Sequence, residues 1–231
     1  MSLFHNIAKE IRNKELHSTE DSYITIIKQT KNTIEFFDAT DGEEDARTIK
    51  IKDPNSITRY YLNKLIIFSD AYKKDKSLFK ISKKKLVEYL FTNTDKNMLM
   101  SVQAIAVITG DEEDTDSIYS DPRIIDGIED MHDFPMPDQI GLTWWNKDVI
   151  ILNAQAIQEV AIETNADNYF DNKDEINIGV LCTLLHEIRH TAQNNLWLPK
   201  EILSSYSSDP EEDAERYAIL WFEQHKANIL R

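Results

Sequence analysis

The fold is decided by one short stretch, Leu184-Leu185-His186-Glu187-Ile188-Arg189-His190-Thr191-Ala192-Gln193, which contains the pattern His-Glu-x-x-His. On a helix, residues four apart lie one above the other, about 5–6 Å apart at Cβ. Two imidazoles at this spacing can bind one Zn²⁺ with nitrogen–metal distances of about 2.0–2.1 Å. The stretch therefore predicts that His186 and His190 bind a metal from one face of a helix.

Glu187 is predicted to act beside that metal rather than to bind it. It directly follows His186, so its side chain points about 100° round the helix axis from that histidine. From there its carboxylate can face a metal-bound water, which is where the general base of a metallohydrolase lies. The alternative is that two hydrogen-bonded histidines flank a surface glutamate, and the pentapeptide alone does not decide between the two interpretations.

The residues around the pattern favour the metal. We predict that its helix begins near Asp174 and is apolar on nearly all sides, through Ile176, Ile178, Val180, Leu181, Leu184, Leu185 and Ile188. A helix with apolar residues all round is buried, so two histidines and a glutamate within it need partners. A bound metal would supply them.

The last helix begins with an acidic stretch, Ser208-Asp209-Pro210-Glu211-Glu212-Asp213-Ala214-Glu215-Arg216-Tyr217-Ala218. Asp209 is a good N-cap, Pro210 suits the first helical position and Glu212 has the spacing of a capping box. Carboxylates also stabilise the positive end of the helix dipole. Capping therefore explains part of this acidity, and it explains Glu212 well.

Capping does not explain why Glu211 and Glu215 stack at i and i+4 on one face of that helix. A carboxylate can complete a zinc site, and ligating histidines usually donate their second N–H to an acceptor. We therefore assign Glu211 to the metal as third ligand. We assign Glu215 to the free N–H of a histidine, with His186 as the expected partner.

A β-hairpin is predicted over residues 141–153, because two β-rich runs, Gly141–Trp145 and Asp148–Asn153, flank the polar pair Asn146-Lys147. The paired Trp144 and Trp145 are explained by core packing, with one on each face of the strand. The backbone allows a functional interpretation as well. An exposed edge strand can bind an extended peptide through main-chain hydrogen bonds. A helix is predicted to follow from Ala154 to about Thr164.

The composition describes an ordinary folded protein, with 41% hydrophobic and 29% charged residues in 231. A net charge of −15 argues against binding to nucleic acid and to anionic membrane surfaces. The single cysteine, Cys182, cannot form an internal disulfide and indicates a reducing compartment. Residues 1–15 lack the apolar core of a secretory signal, and no apolar run is long enough to span a membrane. We expect a cytoplasmic protein.

The first half of the chain is expected to be structural. Helical spacing is found in four segments and β-branched or aromatic runs in three others. Helices are predicted over residues 2–17, 55–73 and 95–108. A further helix is predicted to begin at Ser82, whose hydroxyl can cap it. The predicted strands, which would form a meander, cover residues 23–27, 33–37 and 48–51. A change to acidic and proline-containing sequence after Gly110 predicts a boundary between lobes 1–110 and 111–231, with a long active-site loop as the equal alternative.

The metal-binding pattern and the helix that follows it resemble the gluzincin metallopeptidases. The residues that carry the resemblance are His186-Glu187-x-x-His190 and Glu211-x-x-Ala214-Glu215-x-x-Ala218. Among these enzymes, the compact ImmA/IrrE-type zinc peptidases of bacteria and phages are the most similar. The resemblance covers about residues 139–220. It implies an α+β protein whose lobe 111–231 is zincin-like, with a β-hairpin or sheet, an active-site helix and a third-ligand helix. The resemblance does not extend to lobe 1–110, for which the sequence patterns predict a helix, a β-meander and further helices.

The resemblance also implies roles for individual residues. Glu211 would be the third zinc ligand, and Thr183 would lie near the S1′ pocket. The backbone of Leu142, Thr143 and Trp144 would line the substrate cleft. Two departures from the family pattern are present. Ile188-Arg189 replaces Leu-Gly, which we expect to be tolerated because these positions face away from the metal, and Glu215 replaces Asn or Asp.

The expected function is that of a zinc metalloendopeptidase that acts on a peptide or protein substrate, with Zn²⁺ as cofactor and Glu187 as general base. Tyr206 is the candidate donor to the oxyanion. His225 lies about 21 Å along an uninterrupted helix from Glu211, too far to help. Two alternatives stay open: a zinc-binding interaction protein without catalysis, and an acidic decoy or inhibitor that acts through its surface charge. The oligomeric state does not follow from the sequence.

Overall fold

A computed structural model describes residues 24–29, 34–38, 47–51, 54–94, 96–99, 102–110, 118, 139–144, 148–164, 172–194 and 208–229. These residues form an α+β structure of helices and two β-sheets. The predicted helix 2–17 and the candidate oxyanion donor Tyr206 lie outside the described residues. Trp144 is described for its backbone only. Among the described helices, none is long and apolar enough to cross a membrane.

The first sheet is the predicted meander. Strands β1 (Ile24–Gln29), β2 (Ile34–Asp38) and β3 (Arg47–Ile51) follow one another in sequence and pair antiparallel in the same order. The pairing of β1 with β2 shifts register between Ile26 and Lys28. The prediction of three short strands joined in a meander is therefore confirmed.

The helix predicted over residues 55–73 is confirmed at both ends but is interrupted by a strand. Helix α1 (Pro54–Leu65) ends where strand β4 (Ile66–Phe68) begins, and a short helix α2 (Asp70–Lys74) follows. Ile66-Ile67-Phe68 is an apolar, partly β-branched run, and it pairs parallel with a strand nearly 40 residues further along the chain. The pairing of this run with a distant strand therefore outweighs its helical spacing. Local sequence patterns do not reveal that pairing.

Helix α3 (Lys83–Asn93) begins as predicted, because the Ser82 side chain accepts a hydrogen bond from the backbone N–H of Lys85 at 3.4 Å. The helix predicted over residues 95–108 is wrong. Among the described residues of this span, Lys96–Leu99 form a short helix α4, and Ala104–Ile108 form strand β5 instead of helix. Every residue of β5 is buried. A strand buried on both faces gives a continuous apolar run, which periodicity cannot distinguish from a buried helix.

The second sheet has the order β4-β5-β7-β6, where β6 is Gly141–Trp144 and β7 is Val149–Asn153. Strands β4, β5 and β7 are parallel, whereas β6 pairs antiparallel with β7, as the predicted hairpin requires. Within the described part of the chain, β6 therefore forms an edge of the sheet. Alternate residues of β5 and β7 enter two separate hydrophobic clusters, one on each face of the sheet.

Three helices of the second half of the chain pack on the larger cluster, α5 (Ala154–Thr164), α6 (Asn172–Asn194) and α7 (Pro210–Ile229), and residues of α1 and α3 also belong to it. The predicted span of α5 is confirmed, and α6 begins two residues before the predicted start. Helix α6 packs against α5, α7, β6 and β7. The cluster runs from Leu62 to Ala218 and includes Ile105 of β5. The predicted boundary after residue 110 therefore separates strands that share one sheet and one core.

Candidate metal centre

Helix α6 carries the His-Glu-x-x-His pattern in its buried second half. Leu181, Leu184, Leu185 and Ile188 are each at most 1% exposed, and they anchor the helix on the sheet. This packing fixes the rotation of α6 about its axis. The remaining side of the helix turns His186, Glu187 and His190 towards β6 and α7.

Helix α7 presents Glu211 to the two histidines because of where the helix begins. The Asp209 side chain accepts a hydrogen bond from the backbone N–H of Glu212 at 3.0 Å, so Asp209 is the N-cap that the sequence predicts. Pro210 is then the first helical residue and Glu211 the second. A carboxylate in this turn also interacts favourably with the helix dipole.

Three donor atoms meet between α6 and α7. The Nε2 atoms of His186 and His190 are 3.0 Å apart, and they lie 3.3 and 3.4 Å from the two carboxylate oxygens of Glu211. Two ligands bound tetrahedrally to one zinc at about 2.0–2.1 Å are separated by about 3.3 Å. The two histidines face different oxygens of Glu211, and one ligand atom from each of the three residues lies within 4.8 Å of the other two, close enough for all three residues to bind one metal ion. The histidine–carboxylate distances are long for charge-assisted hydrogen bonds, which are about 2.7–2.9 Å.

The lowered pKa of His186 and the hydrogen bond of His190 both suit metal binding. Burial, together with the neighbouring His190, holds the pKa of His186 below its usual range, against the opposing effect of Glu211 and Glu215. Only a neutral imidazole has a lone pair to offer a metal. His190 Nδ1 lies 2.9 Å from Gln193 Oε1, an atom that only accepts hydrogen bonds. This hydrogen bond therefore requires a proton on His190 Nδ1, and Nε2 of the same ring faces the other donors.

Glu187 is buried beside the donor atoms, and Thr143 of the edge strand β6 contacts it. Thr143 Oγ1 lies 2.6 Å from Glu187 Oε2 and 3.0 Å from the Glu187 main-chain oxygen. Burial raises the pKa of Glu187, whereas the Thr143 hydrogen bond and His190 act to lower it. The carboxyl group is therefore a better proton acceptor than an exposed glutamate would be.

Gly141 allows β6 to approach Glu187 closely. A Cβ atom at this position would lie 2.8 Å from Glu187 Oε1 and 2.7 Å from the methyl carbon of Thr183. Both distances are too short for carbon, so a side chain at residue 141 would displace the carboxylate or the strand. Thr183 turns its hydroxyl away and donates to the main-chain oxygen of Gly179 at 2.8 Å.

An open pocket of about 620 Å³ leads to the donor atoms. Its walls come from β6, α6 and α7, and its lining residues include Leu142, Thr143, Thr183, Cys182, Glu215 and Ile219. Glu215 is exposed at the pocket wall. Its charge raises the pKa of His186, but the described contacts contain no hydrogen bond between the two side chains. The assignment of Glu215 to His186 stays a prediction.

Sequence reasoning missed three residues that support the donor atoms. The Gln193 side-chain amide donates to Asp213 Oδ2 at 2.6 Å and to the main-chain oxygen of Pro210 at 3.0 Å. Arg189 Nε donates to Asp213 Oδ2 at 2.7 Å, and both side chains are at most 3% exposed. Arg189 thus faces α7 across a buried ion pair. A signal was present, because Arg189 and Gln193 lie one turn apart on a helix too apolar to leave them without partners.

The structure brings His186, His190, Glu211 and Glu187 into one site at the end of a pocket bounded by β6. The backbone of Trp144 lies in β6, and Tyr206 falls outside the described residues. The chemistry of the site has to be derived from its own atoms. Comparisons of the chain with protein-family models, with curated proteins and with solved structures found no match.

Proposed function

We propose that the chain is a zinc metallopeptidase that hydrolyses peptide bonds, with His186, His190 and Glu211 as zinc ligands and Glu187 as general base. One observation carries the proposal: the Nε2 atoms of the two histidines lie 3.0 Å apart and each lies 3.3–3.4 Å from an oxygen of Glu211, beside a buried carboxyl group, at the end of an open pocket. The same elements, an edge strand, an active-site helix and a third-ligand helix, support a zincin-like lobe.

The donor set favours zinc and a catalytic role. Two imidazole nitrogens and one carboxylate oxygen are ligands that zinc accepts readily, whereas Mg²⁺ and Ca²⁺ prefer oxygen ligands alone. Structural zinc sites usually have four protein ligands, and catalytic sites have three and an open position. Among the described residues, three groups converge here. Zinc bound to them would lower the pKa of a coordinated water towards about 7 and polarise the scissile carbonyl.

The residues of the chain would move and hold the protons. Glu187 takes the proton from the attacking water and passes it to the leaving amine. Thr143 holds the Glu187 carboxylate by donating to Oε2. The backbone of β6 would bind the substrate as an added strand, which places the peptide across the pocket mouth. Burial raises the pKa of Glu187 and so favours the first proton transfer.

The test combines metal analysis with hydrolysis of an unstructured peptide library. We expect about one zinc per chain in the purified protein and none in His190→Ala. The matched variant Glu187→Gln should retain zinc and fold but lose about 10²–10⁴-fold in kcat, because an amide cannot act as base. Equal metal in the protein and in His190→Ala would remove the metal site. Zinc without hydrolysis, or undiminished hydrolysis by Glu187→Gln, would leave a zinc-binding protein without the proposed base.

A further inference from the structure

Gln193 is the point at which the metal-facing histidine, helix α6 and helix α7 are joined. Its Oε1 lies 2.9 Å from His190 Nδ1, and its Nε2 lies 2.6 Å from Asp213 Oδ2 and 3.0 Å from the Pro210 main-chain oxygen. One amide therefore contacts a ligand on α6 and the first turn of α7. Neither the sequence pattern nor the resemblance assigns a role to this residue.

The orientation of this amide follows from its partners. Asp213 and the Pro210 carbonyl are acceptors, so the atom between them must be the NH₂ group of Gln193. A flipped amide would place its oxygen 2.6 Å from a carboxylate oxygen and would lose both hydrogen bonds. The amide oxygen must then face His190, and it can accept only from a protonated Nδ1.

We propose that Gln193 is a positioning residue that fixes the tautomer of His190, so that the Nε2 lone pair faces the metal, and that anchors Glu211 through the turn that precedes it. The inference rests on the metal-binding part of the proposed function. Pro210 is the residue before Glu211, so the Gln193 bond to its carbonyl holds the backbone from which the third ligand projects. One side chain thus positions two of the three ligands.

The buried ion pair between Arg189 and Asp213 keeps this arrangement rigid. Arg189 donates to both Asp213 oxygens, through Nε at 2.7 Å and an NH₂ nitrogen at 3.3 Å. The same Asp213 Oδ2 accepts from Gln193. Because Arg189 lies inside the His-Glu-x-x-His pattern and Asp213 lies two residues after Glu211, the pair clamps the two ligand-bearing segments against each other. The Asp213 carboxylate, which Arg189 holds in place, in turn orients the Gln193 amide.

The first experiment observes the tautomer of His190 in the metal-free protein by ¹H–¹⁵N NMR at about pH 8.5, above the pKa of ordinary imidazoles. We expect Nδ1 protonated in the wild-type protein and a mixture of both tautomers in Gln193→Leu, which lacks the acceptor. A wild-type His190 protonated on Nε2, or an unchanged tautomer in Gln193→Leu, would overturn the inference.

The second experiment measures zinc affinity by competition with a chelator. Residues that orient a ligating histidine typically change metal affinity by about 10–100-fold, and we expect a loss in this range for Gln193→Leu. The matched control is Gln158→Leu, which removes another part-buried amide, the acceptor of the Phe79 N–H at 2.7 Å, far along the chain from the ligands. It should leave zinc affinity unchanged.

The two experiments separate failure of this inference from failure of the proposed function. If the wild-type protein binds zinc but Gln193→Leu binds it equally well, the positioning role is wrong and the metal site stands. If Gln158→Leu loses as much affinity as Gln193→Leu, the loss reflects general destabilisation and the positioning role is also wrong. If the wild-type protein binds no zinc, the proposed function fails, and the role of Gln193 towards a metal fails with it, whatever the NMR spectra show.

Discussion

The two helices that supply the donor atoms differ in how they hold them. On α6 the His190 side chain is 5% exposed, whereas on α7 the Glu211 side chain is 74% exposed. Burying polar groups costs free energy unless each finds a partner, and here Gln193 of α6 contacts His190 and Thr143 of β6 contacts Glu187. Glu211 needs none, because water solvates its exposed carboxylate. The half of the site on α6 is therefore buried in the core, and the half on α7 is exposed at the surface.

This difference separates stability from metal binding. Residues on the buried side of α6 contribute to both, so their substitution changes folding as well as the site. Residues on the exposed turn of α7 can be changed with little effect on folding, and there an effect on the metal can be measured alone. The following predictions test this contrast, beginning with the largest expected effect.

The largest effect is expected for Glu211→Ala in comparison with Glu212→Ala. Zinc sites bind with roughly 10–16 kcal/mol over four ligands, so one ligand corresponds to about 2.5–4 kcal/mol, or roughly a hundredfold to several hundredfold in affinity. Glu212 pairs with Arg216 on the exposed face of α7, and an exposed pair contributes at most about 1 kcal/mol. Zinc retention should therefore fall steeply in Glu211→Ala and hardly in Glu212→Ala.

The same two variants also test the exposed half of the site without metal. Urea unfolding of the metal-free proteins should give nearly equal free energies of unfolding for Glu211→Ala and for the wild-type protein. A larger loss of zinc in Glu212→Ala would move the ligand by one residue. Equal, small losses in both variants would leave two histidines, too few for the proposed site.

The next effect concerns the buried half of the site. Arg189→Met should lower the free energy of unfolding by about 3 kcal/mol, because it leaves the Asp213 carboxylate buried without its main cation. The control is Arg216→Met, which breaks an exposed ion pair on α7 and should lower it by less than about 0.5 kcal/mol. Urea unfolding of both metal-free variants measures the difference. Similar losses for the two variants would contradict the contrast between the helices.

A smaller effect is expected at Cys182, which lies on the pocket side of α6. Burial, with a contribution from the charge of Glu175, raises the pKa of its thiol to about 11. At pH 8 the thiolate fraction is then about 0.1%, against roughly a quarter for an ordinary thiol. The more basic thiolate is also more nucleophilic, so alkylation should be roughly 20-fold slower than for a free thiol. Iodoacetamide kinetics on this single cysteine measure the rate, with the urea-unfolded protein as control; equal rates would show that burial does not protect the thiol.

The sequence predicted the fold where local patterns determine it. The meander β1–β3, the β6–β7 hairpin, helix α5 and the Ser82 cap follow from turn residues, alternation and capping, and the structure confirms them. Strands β4 and β5 were predicted as helix. Both are parallel strands whose partners lie far along the chain, since β5 pairs with β7. Their apolar residues carry no period that reveals this pairing.

The candidate site also has features that local sequence patterns predict and features that they do not. The proximity of His186 and His190 follows from helical spacing, and the i, i+4 stack of Glu211 and Glu215 pointed to α7. The bonds from Arg189 and Gln193 to Asp213 could not be derived, because they depend on how α6 and α7 are rotated against each other. That rotation is set by packing in the core rather than by the sequence of either helix.

The smallest effect is expected for Thr143, which connects the edge strand to the buried half of the site. Its hydroxyl has one proton and two acceptors within reach, Glu187 Oε2 at 2.6 Å and the Glu187 main-chain oxygen at 3.0 Å. It can donate to the carboxylate when Glu187 is ionised, and to the main chain when Glu187 has taken up a proton. Thr143 should therefore hold the base in one position through both halves of the proton transfer.

Thr143→Val keeps the shape of the side chain and removes this hydroxyl, whereas Thr143→Ser keeps the hydroxyl and removes a methyl group. A hydrogen bond to a charged group is worth about 1.5 kcal/mol or more, so kcat should fall roughly tenfold in Thr143→Val. The KM and the zinc content should stay unchanged, because neither the β6 backbone nor the ligands are altered. Thr143→Ser should recover most of kcat. If the serine variant is as slow as the valine variant, the methyl group and its packing matter rather than the hydroxyl. If the valine variant is as fast as the wild-type protein, the base is positioned by burial alone, and β6 contributes only its backbone to the site.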